Sequence, residues 1–214
     1  MALTESYTKR LKEIAGISLL RRQIQEGVDL SKDAQEMLPE YIDVLYEKGT
    51  SDEIHKFLEE YSRYINKENK IKLKIIAGDI EEYDELLDFS NNPITHLGKL
   101  KYTSDSILLK NTKIKTFNLE RIEGSIDLSN APIESLFGLE YIGRNCNLSD
   151  SNIKSFGDLK EVRWNLILIN TPISFIGDKL KYVGHNLVLN YNMDVEELPE
   201  DLYVGLRIIE QKII

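Results

Sequence analysis

The residues best suited to chemistry in this chain are three histidines (His55, His96 and His185), one cysteine (Cys146) and a dense run of carboxylates. A metal site needs His, Cys or carboxylate ligands at short, regular spacings, and a nucleophilic site needs a Cys or Ser beside a base. Here the histidines fall in widely separated stretches and there is no second cysteine. No H-E-x-x-H helix, G-x-S-x-G elbow or phosphate-binding glycine loop occurs either. The expectation is a non-enzyme with no catalytic, metal-ligating or cofactor-binding residues. Asp79, Glu81, Glu82, Asp84, Glu85 and Asp88 concentrate acid in one stretch. Such a run reads as a solvated face, with docking of a basic partner as the sharper alternative. A net charge of -9 argues against nucleic acid as the partner, because phosphate binding wants clustered Lys and Arg.

What must position any functional side chain is a repeat of about twenty residues that runs from Ile80 to the C-terminus. Each copy opens on an apolar residue (Ile80, Leu100, Leu119, Leu139, Leu159, Leu180). Three residues later stand Tyr83, Ile122, Ile142, Val162 and Val183, with Thr103 as the exception. Then come apolar pairs two residues apart: Leu87 and Phe89, Ile107 and Leu109, Ile126 and Leu128, Cys146 and Leu148, Leu166 and Leu168, Leu187 and Leu189. That is the spacing of side chains on one face of a strand. A small polar slot follows (Asn92, Thr112, Ala131, Ser151, Thr171, Asn192), and two residues on an isoleucine at 94, 114, 133, 153 and 173, replaced by Asp194 in the sixth copy. Leu97, Phe117, Leu136, Phe156, Ile176 and Leu198 close the copies.

One copy holds about five inward apolar side chains, each contributing roughly 1.5 to 3 kcal/mol when buried. Fixing its backbone costs roughly 1 to 2 kcal/mol per residue. A lone copy therefore cannot fold, and stability must come from stacking on neighbours. Cys146 occupies an inward slot, where a buried, inert thiol is expected.

The stretch from strand pair to closing residue, as in LDFSNNPITHL and LILINTPISFI, resembles the leucine-rich repeat pattern L-x-L-x-x-N-x-L-x-x-L. Asn92 and Asn192 fall in its asparagine slot. The resemblance implies a right-handed leucine-rich-repeat-like β-solenoid with a parallel sheet, in which those asparagines bond adjacent coils. With Thr112, Ala131, Ser151 and Thr171 in the other copies, that ladder should be patchy. The apolar residue before the strand sits four positions ahead of the pair, where the family has three, and Gly124, Gly143 and Gly184 lie near that join. This suggests an extra bend, similar to short bacterial and phage repeats or receptor L domains.

Residues 1–70 carry apolar side chains at helical spacing instead. Tyr7, Leu11 and Ile14 suggest a first helix, and Leu20 and Ile24 before Gly27 a second. Pro39 to Gly49 frames a third, with Ile42, Leu45 and Tyr46 on one stripe. Thr50 and Glu53 have capping-box spacing ahead of Ile54, Phe57, Leu58, Tyr61 and Ile65. The fold class expected is α+β: a helical capping domain over 1–70, then the solenoid over 71–214, with a strand at 71–79 leading into the first coil. Leu206 and Ile208 have strand-pair spacing for a last strand, beyond which lie Ile213 and Ile214. No apolar run reaches membrane-spanning length and the N-terminus is charged, so a cytoplasmic protein is expected.

Binding is the function class left, and the slots facing outward alternate with the inward pair. They read Asp88, Leu108, Asp127, Asn147, Ile167 and Val188, then Ser90, Lys110, Ser129, Ser149, Ile169 and Asn190. Polarity falls toward the C-terminal coils. Trp164, Ile167, Ile169, Val188 and Tyr191 form the expected partner-binding set, since exposed apolar clusters and Trp/Tyr anchors favour protein interfaces. The leading expectation is a noncatalytic protein-protein interaction module. The resemblance, with richness in Ile, Lys and Asn, suggests a phage or bacterial inhibitor of a host factor, acting in the host cytoplasm if viral. The alternatives are a homo-oligomeric assembly protein and a glycan or other ligand-recognition module.

Overall fold

A computed structural model describes residues 18–24, 26, 28–189 and 198–210. The chain divides into two compact units, one ending at Ala77 and one beginning at Gly78. The first is helical: α1 (residues 18–24), α2 (Lys32–Glu36), α3 (Leu38–Lys48), α4 (Ser51–Tyr61) and α5 (Lys67–Ala77). Pro39 stands in the first turn of α3 and Gly49 closes it. Leu38, Tyr41, Ile42, Leu45 and Tyr46 are buried along its inner stripe. The capping box at α4 forms in full, with the Glu53 carboxylate accepting from the Thr50 backbone and hydroxyl. Those hydrogen bonds hold the Glu53 carboxyl below its ordinary range. The Tyr7 to Ile14 helix lies outside the described residues.

One expectation fails here. The alternating segment IKLKIIA, expected as a strand over 71–79, is the body of α5. Leu73, Ile75, Ile76 and Ala77 are buried there, and the Tyr46 hydroxyl donates to Asn69 Oδ1 at 3.1 Å. A short apolar run suits either period, and packing against α3 and α4 selects the helix.

The second unit is a parallel β-solenoid in which each coil contributes two short strands, one to each of two seven-stranded sheets. The first sheet is built from Glu82–Tyr83, Tyr102–Thr103, Arg121–Ile122, Tyr141–Ile142, Glu161–Val162, Tyr182–Val183 and Tyr203–Val204. The second contains Leu87–Asp88, Ile107–Leu108, Ile126–Asp127, Cys146–Asn147, Leu166–Ile167, Asn186–Leu189 and Arg207–Glu210. Equivalent residues pair coil to coil without slippage, Ile126 with Cys146, Cys146 with Leu166, and Leu166 with Leu187. The opening leucines, the strand pairs, the isoleucines at 94, 114, 133, 153 and 173, and the closing residues from Leu97 to Ile176 are all buried. The extra bend anticipated before the strand pair is where the chain turns from the first sheet into the second. Gly143 and Gly184 sit in that turn, and a Cβ on either would collide with the carbonyl of Glu123 or Arg163 in the preceding coil.

A ladder of side-chain amides runs one residue before the expected asparagine slot. Asn111 Nδ2 donates to Asn91 Oδ1 and Asn130 Nδ2 to Asn111 Oδ1, each at 2.8 Å, and Asn170 Nδ2 donates to Asp150 at 3.0 Å. All five residues adopt positive φ, which Asn and Asp tolerate better than other non-glycine residues. In the following slot Thr112 and Thr171 donate within their own coil, to the carbonyls of Leu109 and Leu168, and Asn192 lies outside the described residues. A second ladder runs along the corner between the sheets. Asn165 Nδ2 donates to Asn145 Oδ1 and Asn186 Nδ2 to Asn165 Oδ1, both at 2.8 Å.

The last coil is also shifted from expectation. Ile208 and Glu210 pair with Leu187 and Leu189, so they, and not Leu206 and Ile208, occupy the inward slots.

Candidate interaction surface

Two outward surfaces follow from this register. On the second sheet the outward row begins polar except at Leu108, and its polar members are tied up internally. Asp88 Oδ1 accepts from Ser90 N, Asp127 Oδ1 from Ser129 N and Asn147 Nδ2, and Asn147 Oδ1 from Ser149 N. From the fifth coil onward the row becomes apolar. Ile167 pairs with Val188 and Val188 with Ile209, three aliphatic side chains on consecutive rungs. Ile167, Ile169 and Val188 are half-buried, and Ile209 is 39% exposed.

Trp164 does not fold inward. It stands at the corner between the sheets, 46% exposed, with its ring stacked on His185 at 5.6 Å and 8°. The corner row continues by backbone bonds from Arg144 through Trp164 and His185 to Leu206, which is 65% exposed. Thus Trp164, Ile167, Ile169 and Val188 lie on the last coils of one flank, while Tyr191 lies outside the described residues. Leu206, His185 and Ile209 join this flank and were not anticipated. Their signal was the row position, which becomes readable only once the final coil is in register.

The first sheet carries a different outward row: Glu82, Tyr102, Arg121, Tyr141, Glu161, Tyr182 and Tyr203. The Arg121 guanidinium lies 3.7 Å over the Tyr141 ring. Arg163 reaches between Tyr141 and Tyr182, at 5.9 and 5.5 Å, and Tyr182 stacks on Tyr203 at 5.2 Å. Arg121 pairs with Glu123 and Arg163 with Glu161, both at 2.6 Å. The repeated tyrosines at 102, 141 and 182 were the available sequence signal for this row.

Among the described residues no group of three or more His, Cys, Asp or Glu side chains is placed to hold a metal ion. His96 Nδ1 accepts from Gly98 N at 3.0 Å, and His55 is exposed on α4. Burial, with the Asp127 charge nearby, pushes the Cys146 thiol up and away from the reactive thiolate. The acidic run at 79–88 is exposed at all six carboxylates, with Glu81 paired to Lys101 at 3.0 Å. No described helix is long and apolar enough to cross a membrane. Compared with protein-family models, with characterised proteins and with solved structures, the chain matches none.

Proposed function

We propose that this chain is a noncatalytic binding module whose solenoid presents the flank of its last coils to a protein partner. The observation that carries the reading is the exposed Trp164 ring at the corner of the fifth coil, three residues before Ile167, whose outward row continues through Val188 and Ile209. An aromatic anchor beside a dry aliphatic strip is the composition of an interface centre. The strip is held by parallel rungs and by the Asn145, Asn165 and Asn186 ladder, so little side-chain and backbone freedom remains to be lost on binding. Occlusion of a host factor, as in a phage or bacterial inhibitor, is the finer form of this reading.

The glycan alternative has less support. A sugar needs open ring faces, and those of Tyr141 and Tyr182 are covered by Arg121, Arg163 and Tyr203.

The test is affinity purification from the native cell with the wild-type chain and with W164A/I167D. Both positions are at least partly exposed, so the variant should keep the wild-type circular dichroism. Its binding to the captured partner should fall by on the order of 100-fold, as for loss of a hot-spot residue. Undiminished capture by the folded variant would remove this flank from consideration.

A further inference from the structure

The outer face of the first sheet has a charge pattern that complements itself. On the coil before Tyr141 stand Glu120, Arg121 and Glu123; on the coil after it, in the same three rows, stand Lys160, Glu161 and Arg163. The signs run minus, plus, minus on the first coil and plus, minus, plus on the second. Within one chain these triads are two rungs apart, roughly 10 Å. Arg121, Arg163 and Lys160 form their ion pairs with Glu123, Glu161 and Glu140, none of which bridges the triads. The coil between them carries the half-buried Tyr141 and, in the third row, Gly143. An open depression of about 630 Å³ lies there, between Glu120, Glu140 and Lys160.

We propose that two copies of this chain associate through these faces, antiparallel about a two-fold axis at Tyr141. Glu120, Arg121 and Glu123 of each copy then meet Lys160, Glu161 and Arg163 of the other. Such an isologous contact makes every match twice. Both faces share one rung spacing, so the match extends outward: Tyr102 falls opposite Tyr182 of the second copy, and Gly143 opposite its own equivalent. A parallel arrangement would set Arg121 against Arg121 and Glu161 against Glu161. A slip of one coil would leave Arg121 facing Tyr182 and Arg163 facing Gly143. Like charges meet at Glu140 with Glu140 and at Lys101 with Lys181. Each of these has an ion partner in its own chain, Lys160 at 2.7 Å, Glu81 at 3.0 Å and Asp201 at 2.7 Å, as Arg121 and Arg163 have in Glu123 and Glu161. The attraction across the axis therefore rests on the net charge of each triad, minus one against plus one.

The experiment is sedimentation velocity on the full chain over a wide concentration range. The wild type is expected to form a dimer that weakens as salt approaches about 1 M, where charges are screened beyond about 3 Å. R121E sets carboxylate against carboxylate across the axis, and E161R sets guanidinium against guanidinium. Each variant alone should associate on the order of 100-fold more weakly. An equimolar mixture of the two restores opposite charges at every such contact and should dimerise within about threefold of wild type. A role confined to one chain gives no rescue on mixing. E120K and K160E provide the same exchange in the adjacent row if either first variant fails to fold. A wild type that stays monomeric throughout, a variant that dimerises as tightly as wild type, or a mixture that stays monomeric overturns the proposal. W164A/I167D should leave the dimer intact; if it abolishes the dimer, the proposal fails and self-association belongs to the other flank.

Discussion

On the first sheet the outward row alternates tyrosines with charge, from Glu82 through Arg121 and Tyr141 to Tyr203. On the second, built by the same coils a few residues later, it passes from Asp88, Leu108, Asp127 and Asn147 to Ile167, Val188 and Ile209. The inward rows of both sheets are almost uniformly aliphatic and buried. Identical backbone ladders therefore support two unlike surfaces. In a parallel in-register stack each outward residue meets its own equivalents above and below, while its character is free to change from coil to coil. The inward rows decide whether the coils stack, and the outward rows decide what the stack can touch.

The sharpest way to break this division is to cross it with neighbouring residues. Leu166 is fully buried, while Ile167, one residue on, faces outward. L166D places an unpaired carboxylate in the aliphatic interior and should cost more than about 4 kcal/mol, enough to abolish cooperative thermal unfolding of the solenoid. A melting curve for I167D close to wild type completes the contrast. If both variants unfold alike, inward and outward have been misassigned.

A smaller effect is expected where coils approach through glycine. G184A drives a methyl into the Arg163 carbonyl and should destabilise by about 1 to 3 kcal/mol in chemical denaturation. Gly138 has open space in the Cβ direction, so G138A should change little. Equal losses at the two sites would mean that backbone freedom, and not close approach, requires these glycines.

The smallest effect runs the other way. The Thr103 hydroxyl is the only buried side-chain polar atom without a hydrogen-bond partner among the described residues. It occupies the inward slot that Ile122, Ile142, Val162 and Val183 fill in later coils. T103V should stabilise the solenoid by about 1 kcal/mol, read as a higher denaturation midpoint.

The inward rows were legible because burial imposes the same residue class on every copy, which survives comparison by eye. The Thr50 and Glu53 cap and the Pro39 to Gly49 helix were legible because their signals are local. The outward row of the first sheet was not, since strands as short as Tyr141–Ile142 cannot display an alternation of their own. Its pattern lives in residues about twenty apart. The ladders of Asn91, Asn111 and Asn130 and of Asn145, Asn165 and Asn186 are cross-coil bonds of the same kind. Segment 71–77 misled because an alternating apolar run fits a strand until α3 and α4 supply a helical packing site. In the final coil Leu206 and Ile208 mimic the strand pair, and only the pairing with Asn186–Leu189 shows Leu206 at the Trp164 corner. Among the residues expected at the partner surface, the sequence pattern placed Ile167, Ile169 and Val188 correctly on the outer side, because each alternates with a buried leucine. The stacking of Trp164 on His185 had no local signature.

Trp164 is the single tryptophan of the chain, so it reports on the proposed flank without interference from other sites. The most direct measurement is fluorine NMR of the chain labelled with fluorotryptophan, recorded in water and in deuterium oxide, before and after addition of the captured partner. A resonance with a clear solvent isotope shift in the free chain, which loses that shift in the complex, is the expected result. A resonance already shielded in the free chain, or one equally exposed in the complex, would contradict the assignment of this flank as the binding surface.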